Sequence, residues 1–537
     1  MHCRIDVASF GAHQSKAAPL SARDRSPGRW TSSSMLLVLT VGLITTATAI
    51  WGEKMTLNGG LGWDGAQYVA WARDFPGYVI AGKIGPNGAT RVLPSAIIHY
   101  SLRALGFPLT NRNTIGAFTV MNGCLLVVVA WVWCRIAREL NLSVAGQWLG
   151  AVCLFGNFAI LKFTAYYPVL TDVCAMTLSA ALLLCYLRRN QIAGAVLTFA
   201  GSFVWPGLLA QGVIMQVFPR PRSNVTCPEP SAAATPLAAM IGIGAFTMLT
   251  GFVLSHGFGR HTFWLDRCVG ILGDSTKQPG RALVAAAGLG AYLFLISRQL
   301  LNRRAYFRAR SWLASVSIGA ALVMIAFLAG RYWLLARWPQ GRAFYAAPEM
   351  LCLLAHVALR LPALSLVAHI VYFGPVVILT VIHWPAIARE LHRHGAGLVL
   401  ASGFGLLLAM DPESRHVIHL LPLLTPFVLK AIEGQQWSVL GTSAFLLIGL
   451  IGSRLWQTIG GAPDAWHWSK FPAQSYFMAQ GPWMSVPMYF AQGAAVLISG
   501  AVLAVLFARQ HRARVVRAVH SPLCRPRLLL QRHSVKA

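Results

Sequence analysis

Ile115-Gly116-Ala117-Phe118-Thr119-Val120-Met121-Asn122-Gly123-Cys124-Leu125-Leu126-Val127-Val128-Val129-Ala130-Trp131-Val132-Trp133-Cys134 carries no charged residue, while Arg112 precedes it and Arg135 and Arg138 follow. About 20 apolar residues at 1.5 Å per residue cross the hydrocarbon of a bilayer, so this stretch predicts a transmembrane helix. Comparable runs lie at 35–51, 145–163, 173–187, 236–256, 282–300, 311–333, 364–385, 397–410, 416–431, 437–453 and 487–508. Together they predict an all-α polytopic membrane protein with about 12 crossings. Composition agrees: 56% of the 537 residues are hydrophobic, 11% are charged, and mean hydropathy is +0.57. Soluble domains carry roughly 25% charged residues.

Lys+Arg outnumber Asp+Glu by 45 to 16. In a soluble chain that excess would suggest nucleic acid, but these cations sit mostly in short links between apolar runs, where they orient helices. Nucleic-acid binding is therefore rejected. The ten cysteines are scattered, most inside apolar runs and none as a Cys-x-x-Cys pair, which excludes a disulfide frame or a zinc site.

Residues 1–34 are polar and basic and lead, without a small-residue cleavage signature, into 35–51, which reads as an uncleaved first helix. The segment 192–218 is interrupted by Trp205-Pro206 and flanked by Arg188-Arg189 and by Arg220 and Arg222. Proline removes a backbone donor and clashes with the preceding turn, so a re-entrant pair of half-helices fits better than one crossing. The cluster Arg303, Arg304, Arg308 and Arg310 and the basic tail 509–537 place both termini in the cytoplasm of an inner-membrane protein. The chain then divides into the leader, an N-terminal module 35–225 with external loop 52–114, and a C-terminal module 226–508 with external loops 257–281, 334–363 and 454–486. In the last loop Trp456, Trp466, Trp468, Tyr476 and Trp483 fit the lipid–water boundary or stacking on a sugar or prenyl chain.

The outer face is where chemistry is expected. Residues 62–74 read as a short amphipathic helix on the membrane surface, with Asp64 and Tyr68 on one face. Asp64 with Gln67 also fits a capping box. Asp172 ends the short link 165–172 and starts a crossing, where the helix dipole favours an acid. Arg91 and Arg415 stand near outer helix starts, against both the dipole and the positive-inside bias. An acid nearby, Glu413 or Asp411, would explain Arg415. Otherwise guanidinium suits the phosphate oxygens of an anionic ligand. His416 and His419 share a face, which is a weak metal signal. No His-Glu-x-x-His, Gly-x-Ser-x-Gly elbow, phosphate loop or dinucleotide fingerprint occurs, leaving hydrolase and nucleotide-driven readings without support.

The order Trp63-Asp64-Gly65-Ala66-Gln67-Tyr68, Arg91-Val92-Leu93-Pro94, Thr171-Asp172, the half-helix pair before Arg220 and Arg222, and Glu413-Ser414-Arg415 before Leu421-Pro422 resembles a bacterial branch of the polyprenyl-phosphate-dependent membrane glycosyltransferases of the GT-C fold. The resemblance covers 35–225 and is patchy after it. It implies sugar transfer from a polyprenyl-phosphate donor to a glycan, lipid or protein acceptor at the outer face. Asp64 and Asp172 would be catalytic, and Tyr68, Glu413, Arg91 and Arg415 would bind substrate. A divalent cation is the one cofactor it admits. Relatives often carry two acids in tandem in the first loop, whereas here Asp64 is followed by Gly65. The rival readings are a lipid-linked substrate transporter or flippase, since about twelve crossings is also a transporter number, and a polysaccharide polymerase or ligase.

Overall fold

The computed structural model describes residues 32–62, 64–222, 230–256, 278–303, 315–336, 357–433, 439–455, 459, 481, 484 and 486–519. Among them every regular element is a helix and there is no strand. Each of the twelve apolar runs is helical over at least part of its length. The five aromatic residues singled out in 454–486 lie outside the described residues, as does most of 257–281 and 334–363.

Helix α1 (Ser32–Trp51) enters the first link, which folds into four short helices: α2 (Asp64–Arg73), α3 (Phe75–Ile80), α4 (Pro86–Ala89) and α5 (Leu93–Ala104). Their starts are written locally. Asp74 accepts a hydrogen bond from Gly77 N at the head of α3, and Pro94 occupies the first turn of α5, where a missing N–H costs nothing. Helix α6 (Asn111–Glu139) is capped by Thr110 and α7 (Val144–Phe155) by Ser143.

The run 145–163 is not straight. It breaks at Gly156-Asn157, and α8 (Thr164–Tyr166), with the wide turn before it, leaves at 55° to α7. Asn157 mends the break: its amide donates to the carbonyls of Cys153 and Leu154 and its oxygen accepts from Ile160 N. Helix α9 (Asp172–Arg188) ends at Arg189 in the left-handed region. The half-helices α10 (Gln191–Gly201) and α11 (Pro206–Val217) pack against each other and against α9 on either side of the extended Trp205.

Then follow α12 (Ala234–His256), α13 (Pro279–Leu300) and α14 (Ile318–Ala336). Helices α12 and α13 approach so closely that a side chain at Gly242 would meet the Gly290 carbonyl at 2.8 Å, and one at Gly290 the Gly242 carbonyl at 2.9 Å, a small-residue crossing typical of membrane helices. The run 364–385 is not one continuous helix either: it is broken at Gly374-Pro375 into α15 (Leu364–Phe373) and α16 (Val376–Ile382), with Gly374 at φ 78°. Helices α17 (Trp384–His394), α18 (Ala396–Leu408), α19 (Leu420–Ile432), α20 (Val439–Ser453) and α21 (Val486–Val519) complete the described elements. The crossing expected at 416–431 begins only at Leu420, because residues 414–417 form a separate tight turn.

Among the described residues α1, α6, α12, α13 and α21 are long and apolar enough to cross a membrane, and there is a sixth if the bent α7–α8 pair is one span. Large apolar side chains point outward, Leu43 at 73% and Leu497 at 75% exposure, a surface suited to lipid. A continuous apolar core joins α1, α2, α5–α9, α11 and α15–α19, with Trp71, Trp133, Phe118 and Phe427 fully buried.

Candidate functional site

Segments distant in sequence meet at one end of this core. Helix α2 brings Asp64 and Tyr68 on its first two turns. Arg91 stands two residues before α5, whose Leu93 N donates to the Phe203 carbonyl at 3.0 Å and so ties the first link to the α10–α11 break. The turn 409–419 supplies the rest. It is pinned from three sides: Ser179 of α9 donates to the His419 carbonyl at 2.6 Å, Trp205 Nε1 donates to the His416 carbonyl at 3.0 Å, and His369 of α15 lies between Ser414 Oγ (2.9 Å) and the Ala409 carbonyl (2.8 Å).

Arg415 is the node. Its Nη2 donates to Asp64 Oδ2 at 2.8 Å and its Nε donates to Glu413 Oε1. Burial raises Asp64, but Arg415, then Arg91 and His416, outweigh it and hold the carboxyl below its ordinary range. The same contest, won by Arg415 and His416, holds Glu413 down. Asp64 is therefore ionised, and none of the described hydrogen bonds runs from the α2 backbone to its carboxylate, so the capping role expected of it is replaced by an ion pair. The expected local partner of Arg415 is Glu413. Asp411 instead lies 2.7 Å from His416 Nδ1.

Arg91 is held without an acid. Its Nη1 donates to the Tyr68 hydroxyl at 3.2 Å and its guanidinium lies 4.5 Å from the centroid of the Trp205 ring, a cation–π seat. Burial, with the charge of Asp64, keeps the Tyr68 hydroxyl protonated above its ordinary range. Asp172, the first residue of α9, is 6% exposed, and neither of its oxygens has a hydrogen-bond partner among the described residues. Arg415, His416 and Arg91 are within Coulombic reach of it. All six residues expected from sequence thus gather around two guanidinium groups.

Gly65 explains the missing second acid. Its N–H donates to the Tyr167 hydroxyl at 2.9 Å, and a Cβ there would lie 2.2 Å from Val169 Cγ2. No acidic side chain fits at that position. Among the described residues no three His, Cys, Asp or Glu side chains come together to hold a metal ion, and Asp64 Oδ2 is occupied by a guanidinium. These residues do not fit a resident cation, and no step below is routed through one.

An apolar cavity of about 490 Å³ adjoins the turn, running from Met410, Val417 and Leu421 past His369 to Tyr292 and Trp384. Trp205, Asp411 and His416 are participants that sequence reasoning did not assign to the site. The Trp-Pro break was visible, but its contact with Arg91 depends on the fold. Comparison of the chain with protein-family models, curated proteins and solved structures finds no match.

Proposed function

We propose that the chain is a membrane glycosyltransferase that moves a sugar from a polyprenyl-phosphate donor to an acceptor hydroxyl at the outer face of the membrane. The observation that carries this reading is the Arg415 node, where Asp64, 351 residues away in sequence, pairs with Arg415 and has Arg91 within Coulombic reach, on a turn that borders an apolar cavity of about 490 Å³. Arg91 and Arg415 seat the phosphate. Asp64 is 41% exposed, and its Oδ1 faces no described donor, so it can receive the acceptor proton.

In the transfer the acceptor oxygen bonds to the anomeric carbon, the carbon–oxygen bond to phosphate breaks with inversion, and the electron pair leaves on phosphate. The proton goes to Asp64, and the guanidinium groups neutralise charge developing on the leaving group. Buried Asp172 fixes the field behind Arg415.

A transporter of the same lipid is the second reading. Helices broken at Gly156-Asn157, Trp205-Pro206 and Gly374-Pro375 favour it, since transporters build sites on discontinuous helices. Incubation of the purified chain with a radiolabelled polyprenyl-phosphate sugar in detergent separates the two. Cleavage of the sugar–phosphate bond, abolished in Asp64→Asn, supports the enzyme. Intact donor under every acceptor condition removes it.

A further inference from the structure

The imidazole of His416 stands between two carboxylates. Nδ1 is 2.7 Å from Asp411 Oδ2, and Nε2 is 3.5 Å from Glu413 Oε1, the same oxygen that accepts from Arg415. A neutral ring has one nitrogen lone pair. Whichever tautomer it took, that lone pair would face a carboxylate, so the geometry calls for an imidazolium.

The ring is fixed from outside the turn as well. The indole of Trp205 lies 5.7 Å away, donates to the His416 carbonyl, and carries Arg91 against its ring system. Asp411 is fixed in turn, since its Oδ1 accepts from Glu413 N at 2.9 Å. A line of alternating charge results: Asp411, His416, Glu413, Arg415, Asp64.

We propose that His416 is a positioning residue: as an imidazolium it shares Glu413 with Arg415 and so leaves the outer nitrogen of Arg415 turned toward Asp64. Without that shared proton the full charge of Glu413 falls on Arg415 and competes with Asp64 for it. The groups facing His416 are Asp411, Glu413 and Arg415 on its own turn, Asp64 on α2, Asp172 on α9, Arg91 across the indole and His419 below. Burial opposes the charged ring, and Glu413 and Asp411 outweigh burial, placing its titration above the ordinary histidine value. The consequence for catalysis rests on the glycosyltransferase reading. The charge state and its effect on Arg415 do not.

Nuclear magnetic resonance of the full chain in lipid nanodiscs, with ¹⁵N-labelled histidine and arginine side chains, tests this without substrate. The His416 signals are assigned by their loss in His416→Gln. The ring should be doubly protonated at neutral pH, and Asp411→Asn should lower its midpoint by about one pH unit or more, the size of a lost close charge partner. Deprotonation of His416 should move the Arg415 Nε resonance, and His416→Gln should fix that resonance at its high-pH position. A ring neutral at pH 7, or an Arg415 signal indifferent to it, overturns the proposal. If transfer is found, its alkaline limb should disappear in His416→Gln while the acid limb stays. If no transfer is found but the resonances behave as stated, the positioning stands and the enzymatic reading falls.

Discussion

Replacing Arg415 with Gln removes one side chain and exposes the energetics of the whole cluster. Arg415 is 15% exposed and makes charge-assisted hydrogen bonds to Asp64, 41% exposed, and to Glu413, 20% exposed. A hydrogen bond to a charged group contributes roughly 1.5–3 kcal/mol, and the Asp64 contact is discounted to about 1 kcal/mol because water reaches it. Arg415→Gln should therefore cost about 3 kcal/mol. In an Asp64→Asn background the additional cost should fall to about 2 kcal/mol, leaving a coupling of about 1 kcal/mol. Equilibrium unfolding in mixed micelles with rising SDS fraction reads all four corners of the cycle.

The sign with pH follows from Asp64 and Glu413, both held below their ordinary range. Their contribution is complete above the unfolded carboxyl values near ~4 and is lost as pH falls through the lower folded values. Without Arg415 they lose that depression, so the deficit of Arg415→Gln should be largest at neutral pH and shrink in acid. Additivity of the two substitutions, or a deficit that grows in acid, would refute the ion-pair account.

Arg91→Lys keeps a charge but loses the planar stack on Trp205 and the fork toward phosphate, so donor KM should rise several-fold, and Arg91→Gln should raise it further. An unchanged donor KM in Arg91→Gln moves the phosphate seat elsewhere. Gly65→Ala puts a methyl 2.2 Å from Val169, which must displace α2 and with it Asp64. Transfer should fall. Lys162 and Glu53 pair at 2.7 Å with side chains 7% and 21% exposed. Lys162→Met should cost about 3 kcal/mol by removing the counter-charge of a mostly buried carboxylate that also accepts from Ile459 N, and the double substitution with Glu53→Gln should recover part of it, read by the same SDS titration.

The membrane class was legible because continuous apolar runs need no partner to be recognised. Asp64, Asp172, Arg91 and Arg415 were legible because each opposed or exploited a helix end. What stayed hidden depended on tertiary contact. Gly374-Pro375 is a breaker dipeptide outweighed by the apolar run around it, whereas Gly156-Asn157 carries a weaker signal and its break is mended by Asn157 only in the fold. Lys162 lies in an apolar run, and only the fold brings Glu53 to it. Trp205 read as the edge of a proline break, yet its indole is the surface on which Arg91 and His416 rest. His416 read as half of a weak metal pair with His419, whereas Asp411, five residues earlier, claims its ring. The capping box at Asp64 was a sound local pattern overridden by a cation from the other end of the chain.

The account turns most directly on whether the chain breaks the bond between sugar and phosphate. Proteoliposomes holding the purified chain and a polyprenyl-phosphate sugar labelled in both parts decide it. The account predicts that the sugar label passes to an added acceptor on the side of Asp64 while the phosphate label stays with the lipid, and that Asp64→Asn and Arg415→Gln stop this. Movement of both labels together across the bilayer, with the bond intact, would contradict it.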